Sequence, residues 1–311
     1  MLNYAILVAG GMNMELQHLQ YFLEVAKYQH MTRAAAELHV AQSALSRLIK
    51  GLENELGCSL FDRRGRNLIL NKNGQILLKY TQNIFNQFKD MKRELSYSNG
   101  RQQDVTITMM VKVASKFLPE IISGFNRVHP EARFVIIQNE ALENMQQPWD
   151  ICLDAGMELQ EDKFSICVLK EEICLAMPRN HPLAARKSIR LEDVAGESFL
   201  GMQKGSSMNE IATFYCHKAG FEPHIVLTSD NPATLRGMLS LGLGIVFNPI
   251  ITWKEVSEEE FSLVPIEGHA CFRYIYLHLR PNGYATPLVQ DFKKYLINFF
   301  RKLAVQAKKD N

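Results

Sequence analysis

The sequence predicts a mainly α-helical first part and a larger second part of mixed α/β class. Residues 32–57 have the spacing of two short helices, and residues 58–70 that of two short strands around a basic turn. Beyond residue 102, predicted strands and helices alternate, which is typical of an α/β domain with largely parallel sheets. These three observations divide the chain into two unlike parts.

The second helix of the first part is predicted to have one apolar and one polar face. Its apolar residues recur every three or four positions, as on a single helical stripe: Leu45, Leu48, Ile49, Leu52 and Leu56. At roughly 100° per residue, the opposite face carries Ser43, Ser46, Arg47 and Lys50. Gly57 follows, where a helix end favours a positive φ. Such a helix suits the major groove of DNA, although an ordinary surface helix also has a polar front.

A short helix precedes this one, and a basic hairpin follows it. Thr32 is predicted to cap the short helix through its hydroxyl group, and alanines 34–36 let another helix approach closely. Two predicted strands, 58–62 and 67–70, flank a turn that contains Arg63, Arg64, Gly65 and Arg66. A basic wing beside a recognition helix can contact the phosphate backbone or the minor groove. Together these features favour DNA binding over a generic helix bundle.

Residues 14–311 resemble the LysR-type transcriptional regulators. The motifs that carry the resemblance are Thr32-Arg33-Ala34-Ala35, the turn Ala41–Ser46 into the second helix, and Leu60-Phe61 before the wing. The resemblance implies a winged helix-turn-helix DNA-binding domain, a linker helix that pairs with its twin, and a two-lobed α/β effector domain resembling a periplasmic binding protein. It also implies a homotetramer, built as a dimer of dimers, that bends promoter DNA and changes the bend when a small molecule binds.

The expected domain boundaries follow from the composition and the resemblance. Residues 1–13 are interpreted as an N-terminal extension or an upstream start, 14–72 as the winged helix-turn-helix domain, 73–101 as the linker helix and hinge, and 102–311 as the effector domain, with lobe one at 102–171 and 273–305 and lobe two at 172–272. The linker helix is predicted to carry an apolar seam close to coiled-coil spacing, made of Leu77, Tyr80, Ile84, Phe88, Met91 and Leu95.

The expected DNA contacts lie in the basic part of the chain. Residues 14–101 carry 13 Lys and Arg against 8 Asp and Glu, a net charge of +5, whereas the whole chain carries +2 and the remainder therefore −3. This asymmetry suits a DNA-binding head on a domain with another task. Ser43, Ser46 and Arg47 are expected to contact base edges, and Thr32, Arg33, Gln42 and Lys50 to position the backbone. Arg63, Arg64 and Arg66 are assigned to the wing.

Candidate effector-binding residues lie where strands end and helices begin, because ligands of two-lobed α/β domains bind there. They are Val111, Lys112, Ser115, Gly205, Ser206, Ser207, Asn231 and Phe247. Free N–H groups at a helix start favour a carboxylate, although serine is also a common helix cap. The segment Met109–Lys112 departs from the small polar residues of many relatives. It would narrow the cleft, make it more apolar, or supply a lysine counter-charge.

Enzymatic and metal-binding functions find no support in the sequence. Hydrolase, zinc-protease and phosphate-loop motifs do not occur, and Asp154, Glu171 and Glu172 have no catalytic partner visible in the sequence. The six single cysteines are interpreted as buried thiols of a reducing cytosol, with a redox-sensing thiol as the alternative. No cofactor is expected apart from a small-molecule effector, with a carboxylate as the favoured class.

The sequence therefore predicts a cytoplasmic DNA-binding regulator controlled by a small molecule. Its expected partners are promoter DNA, the effector, a second copy of the chain and RNA polymerase, without membrane association. Two rival classes are a transported-solute binding protein, which would need a signal peptide, and an enzyme fused to a DNA-binding domain, which would need catalytic residues. A cleft that binds no ligand is a further alternative.

Overall fold

The structure is a computed structural model that describes residues 14–64, 67–99, 105–138, 149–253, 261–267, 271–281 and 283–307. The described residues form two compact units, one within residues 14–99 and the other within residues 105–307. The predicted N-terminal extension, residues 1–13, lies outside the described residues. Among the described helices, none is long and apolar enough to cross a membrane.

The first unit has the predicted winged helix-turn-helix architecture. It consists of helices α1 (Leu16–Tyr28), α2 (Met31–Glu37) and α3 (Gln42–Leu56), strands β1 (Phe61–Arg64) and β2 (Asn67–Leu70), and helix α4 (Lys72–Ser98). The apolar faces of α1, α2 and α3 meet in one core, in which Phe22, Ala34 and Leu45 are completely buried. Gly57 ends α3 with a φ of 67°, as the sequence predicts.

Two element boundaries differ from the predictions for identifiable reasons. The Thr32 cap is wrong: α2 begins at Met31 and is capped by His30, whose Nδ1 accepts a hydrogen bond from the Arg33 N–H at 3.4 Å. Strand β1 begins at Phe61 rather than at residue 58, because Leu60 is buried in the core and its N–H donates to Glu53 Oε1 at 2.8 Å.

The second unit alternates strands and helices. In chain order its elements are β3 (Thr106–Val111), α5 (Leu118–Asn126), β4 (Arg133–Ile137), β5 (Ile151–Gly156), β6 (Ser165–Pro178), β7 (Ile189–Arg190), β8 (Ser198–Met202), α6 (Ser207–Lys218), β9 (His224–Ser229), α7 (Pro232–Ser240), β10 (Val246–Pro249), β11 (Phe261–Val264), β12 (Ile266–Glu267), β13 (Phe272–Leu279) and α8 (Pro287–Ala307). This order confirms the predicted alternation of strands and helices beyond residue 102.

The main sheet is mixed, so the expectation of largely parallel sheets is wrong for its centre. Its strand order is β10-β6-β13-β5-β3-β4, with β11 also paired to β6. Strand β3 is parallel to β4 and β5, whereas β13 is antiparallel to both β5 and β6. Parallel pairing recurs in the separate β8–β9 pair. The long strand β6 causes the mixture, because β13, β10 and β11 all pair with it antiparallel.

Two hydrophobic cores define two lobes within this unit. The first core includes Ile107, Leu153 and Phe292, and we call the part that surrounds it the first lobe. The second core includes Ile173 and Phe199, and we call the part that surrounds it the second lobe. Strand β6 contributes to both, with Leu169 in the first core and Ile173 in the second. Strand β6 therefore connects the lobes, and β13 pairs with it from Glu172 to Ser165.

A buried ion pair lies at this crossing. Glu171 of β6 faces Arg273 of β13 across the sheet, and Arg273 Nε donates to Glu171 Oε1 at 2.7 Å. The two side chains are 0% and 2% exposed. Thr252 completes the network, since its backbone N–H donates to Glu171 Oε2 at 2.9 Å and its Oγ1 accepts from Arg273 Nη2 at 2.7 Å. Every oxygen of the buried carboxylate is thereby hydrogen-bonded, as burial of a charge requires.

Glu171→Gln should lower the free energy of unfolding of the chain by about 3–5 kcal/mol, because it leaves the buried Arg273 charge uncompensated. Urea denaturation monitored by circular dichroism measures the change. Asp291→Asn removes an exposed carboxylate that pairs with Lys294 at 3.0 Å and should cost less than about 1 kcal/mol. Equal effects of the two substitutions would contradict a structural role for the buried pair.

Candidate functional site

Helix α3 turns the predicted polar residues away from the core of the first unit. Leu45, Ile49 and Leu52 are buried on its inner face. The outer face carries Gln42, Ser43, Arg47 and Lys50, which are exposed, and Ser46, which is half-buried. Thr32 and Arg33 are also exposed, in the first turn of α2. The structure therefore leaves the whole predicted set of helix residues accessible to a large ligand.

A tight turn joins α2 to α3, and α3 begins without a side-chain cap. His39 adopts a left-handed conformation with a φ of 53°, and the Val40 N–H donates to Ala35 O at 3.0 Å, which closes the turn. Helix α3 then begins after Ala41, whose methyl group cannot cap it. Uncapped N–H groups and the helix dipole favour a phosphate at such a helix start.

The predicted wing is an antiparallel hairpin. Strands β1 and β2 pair from Phe61 opposite Leu70 to Arg64 opposite Asn67, so Arg63 and Arg64 belong to the strand that enters the turn. The side chains of these two arginines lie outside the described part of the chain, as does the whole of Arg66. Their assignment to DNA contact stays a prediction.

The second unit contains a cleft of about 320 Å³ where the two lobes meet. The first lobe contributes residues that follow β3, among them Lys112 and Ser115. The second lobe contributes the N-terminal ends of α6 and α7. Arg273 and Thr252 of the buried network also line it. The volume is within the usual range of small-molecule sites.

Five of the eight candidate effector-binding residues come together at this cleft. They are Lys112, Ser115, Ser206, Ser207 and Asn231. Two of them also act as helix caps: Ser206 Oγ accepts from the Asn209 N–H at 3.2 Å, and Asn231 Oδ1 accepts from the Ala233 N–H at 2.8 Å. Ser206 and Asn231 therefore cap their helices and also line the cleft.

The other three candidates do not line the cleft. Val111 is 3% exposed because β3 buries every second residue, and Val111 falls on the core side of that alternation. Phe247 is 5% exposed and stacks on Phe199 with ring centroids 5.8 Å apart. Gly205 adopts a φ of 91° in the turn before α6. Its role is to shape that turn, since it has no side chain to offer.

The charged side chains among the described residues that line the cleft are all basic. Among the described residues that line it, four carry a positive charge, namely Lys112, Lys116, Arg236 and Arg273, and none is Asp or Glu. Lys112 Nζ lies 3.3 Å from Asp154 Oδ2, and Arg273 is paired with Glu171, so Asp154 and Glu171 have partners that the sequence did not reveal. Of the three effects considered for the Met109–Lys112 segment, the lysine charge is the one that the structure places at the cleft, because Met109 and Val111 are buried in the first core.

Sequence reasoning missed Arg273, Arg236, Lys116 and Trp253 at this site. Arg273 joins the cleft from more than 60 residues beyond Ser206 in the sequence, and such a contact has no local periodicity. A signal was nevertheless present, because Arg273 interrupts the largely apolar strand β13, Phe272–Leu279. A charged residue inside a buried strand requires a buried partner or a ligand.

Four of the five cysteine thiols in this unit are poorly suited to redox chemistry. Burial raises the pKa of Cys174, Cys216 and Cys271 to about 12. Burial likewise raises the pKa of Cys167. Since the thiolate is the reactive form, burial makes these four thiols less suited to redox chemistry.

Comparisons with known proteins agree with this arrangement of domains. Residues 16–75 match the family model described as bacterial regulatory helix-turn-helix protein, lysR family, and residues 98–301 match the model described as LysR substrate binding domain. The chain is 32% identical over 298 residues to the transcriptional dual regulator GltC of Bacillus subtilis, covering 93% of this chain and 99% of that protein. It is 26% identical over 305 residues to a hydrogen peroxide-inducible genes activator of Dickeya chrysanthemi, covering 94% and 100% of the two chains.

Solved structures show the same fold. A variant of full-length OxyR from Pseudomonas aeruginosa superposes with a TM-score of 0.62 at 22% identity, covering 94% of this chain and 96% of that one. Full-length CbnR in complex with its target DNA superposes with a TM-score of 0.59 at 20% identity, covering 94% and 100%. The exposed α3 face, the hairpin, the two-lobed second unit and both family matches lead to one conclusion: the chain belongs to the LysR family of DNA-binding transcriptional regulators.

Proposed function

We propose that this regulator is controlled by an acidic small molecule that binds in the cleft of the second unit. The observation that carries the proposal is the charge of the described cleft lining, with four cations and no carboxylate. The ends of α6 and α7 add to it, because the N-terminus of a helix favours negative charge. A carboxylate is the chemical group that matches guanidinium, ammonium and backbone N–H donors together.

Within this cleft, Arg273 is the fixed recognition group. Its Nε and Nη2 are held by Glu171 and Thr252 at 2.7 Å each, so the guanidinium does not lose rotamer freedom when a ligand binds. Arginine presents its donors in a rigid fork that suits a carboxylate. Lys112 and Ser115 approach from the first lobe, and Ser206, Ser207 and Asn231 from the second, so one bound acid contacts both lobes.

In the first unit, we assign base reading to the α3 face and backbone contacts to its surroundings. Ser43, Ser46 and Arg47 contact base edges in the major groove, while Thr32, Arg33, Gln42 and Lys50 contact phosphates. The wing arginines, Arg63, Arg64 and Arg66, hold the neighbouring backbone. The accessibility of the described helix residues and the uncapped start of α3 support this assignment.

We also infer that α4 is the dimerisation element. Five residues of its apolar seam are exposed on the isolated chain, at 38–62% of their surface, namely Tyr80, Ile84, Phe88, Met91 and Leu95. Such a row of large apolar side chains on one helix is typical of a protein–protein contact. A dimer of dimers acting on promoter DNA and RNA polymerase in the cytoplasm is the corresponding assembly. Membership of the LysR family supports this inference.

The names of some relatives suggest peroxide as an alternative signal. A hydrogen peroxide-inducible activator is among the similar proteins, and reaction with peroxide requires an accessible thiolate. Burial raises the pKa of Cys167, Cys174, Cys216 and Cys271, which disfavours that chemistry at these four of the six cysteines. The basic side chains of the cleft therefore support an acidic effector better than the cysteines support peroxide as the signal.

The acid-binding proposal predicts a difference between matched acids and amides. Benzoate and succinate should raise the melting temperature of the full chain with increasing concentration, whereas benzamide and succinamide should not, because ligands stabilise the state that they bind and the amides lack the charge. Arg236→Gln should weaken the shift. Lys218→Gln, which alters an exposed residue at the end of α6, should preserve it. Equal shifts by acids and amides would contradict an anion site.

The assignment on α3 predicts different effects for two residues of the same helix face. Arg47→Ala should weaken binding to an operator selected from random DNA more than binding to random DNA itself, since a lost bidentate base contact costs ~1–3 kcal/mol. Lys50→Ala should weaken both by the same factor and reduce the salt dependence by about one ion. Fluorescence anisotropy at several salt concentrations measures both. An Arg47→Ala variant with unchanged specificity would refute its base-reading role.

A further inference from the structure

An apolar pocket lies inside the second lobe, next to the cationic cleft. It is enclosed by α6, α7 and strands β8, β9 and β10, and its lining includes Phe199, Met202, Met208, Ala212, Ile225 and Trp253. Apart from Asn209, Thr213 and the indole N–H of Trp253, the described lining is apolar. A water molecule in such a pocket finds few hydrogen-bond partners, so an apolar group suits it better than solvent.

Three side chains belong to the walls of both spaces. Met202, Met208 and Trp253 line the cationic cleft and the apolar pocket alike. The pocket therefore opens beside the cleft, with these residues between the two. In the present conformation it has room for about 20 Å³, which is a methyl-sized group. Methionine side chains are unbranched and flexible, so rotation of Met202 and Met208 would enlarge the space.

The fixed cation of the cleft lies at the same boundary. Arg273 Nη1 donates to Met208 Sδ at 3.6 Å, and a thioether is a weak acceptor. The other two guanidinium nitrogens already donate to oxygen, in Glu171 and Thr252. An incoming carboxylate is a much stronger acceptor than the thioether, so it would replace Met208 as the partner of Nη1. That exchange would place the acid group at the entrance of the apolar pocket.

We propose that the effector is an amphipathic monocarboxylate, whose acid group binds Arg273 and whose apolar substituent enters the pocket between Met202, Met208 and Trp253. This inference rests on the proposed acid-binding function and specifies the class of acid. The effector has an aliphatic or aromatic tail, and its far end is uncharged. A second carboxylate at that end would have to be buried among apolar side chains, at a cost that its contacts there do not offset.

Isothermal titration calorimetry of the full chain with the acids from acetate to hexanoate tests this proposal. Affinity should rise about threefold to fourfold with each added methylene until the pocket is filled, and succinate should bind more weakly than butyrate of equal carbon number. Affinities that do not change with chain length, or tighter binding of succinate, would overturn the amphipathic class while leaving an acid site in place. Absence of binding by every acid would overturn the acid-binding function as well.

Substitutions of Ala212 locate the tail. Ala212→Leu fills the pocket and should reduce hexanoate affinity at least tenfold while changing acetate affinity less than twofold. Ala212→Ser keeps the volume but adds a hydroxyl group; it should reduce hexanoate affinity severalfold, and it provides the test if the leucine variant does not fold. Lys218→Gln, which alters an exposed residue at the end of the same helix and lines neither space, is the control and should retain hexanoate binding. Unchanged hexanoate affinity in both Ala212 variants would refute the pocket as the tail site.

Discussion

The ion pair between Glu171 and Arg273 is the interaction on which the second unit depends. It joins β6 to β13 where β6 passes from one hydrophobic core to the other, and it fixes a cation in the wall of the cleft. Buried ion pairs contribute little net stability compared with apolar residues of equal size, because desolvation of the charges offsets their attraction. We therefore infer that the main role of this pair is to fix the position of the Arg273 guanidinium. The pair leaves Arg273 Nη1 with only a weak acceptor, the Met208 sulfur.

Local charge and net charge have opposite signs in this unit. The residues beyond 101 carry a net charge of −3, yet the described residues of the cleft are cationic. The net negative charge reduces nonspecific attraction of the unit to DNA, while the charged side chains among the described residues of the cleft are all basic. The first unit has the reverse task, and residues 14–101 carry a net charge of +5. The two binding functions are thereby separated by electrostatics as well as by fold.

Features that depend on neighbouring residues were predicted from the sequence more accurately than contacts between residues far apart in the chain. The α3 stripe and the Gly57 cap are local features, so periodicity predicted them correctly. The rule that ligands bind at strand ends correctly predicted that five residues line the cleft, namely Lys112, Ser115, Ser206, Ser207 and Asn231. It did not resolve single positions, because side chains alternate along a strand and Val111 falls on the buried side. Arg273 and Trp253 were missed because they reach the cleft through pairing with distant strands and loops, which leaves no local pattern.

The central claim is that an acid in the cleft changes how the protein holds DNA. Energy transfer between dyes at the two ends of a selected operator, titrated with the full chain, reports affinity and bending together. Adding the tightest-binding acid of the calorimetric series should change the transfer at saturation or shift the affinity severalfold, as expected for coupling of about 1–3 kcal/mol between two sites. The double variant Glu171→Met, Arg273→Met, which removes the buried pair as a unit, should lose this response. An acid that binds the chain but alters neither the bend nor the affinity would contradict the account.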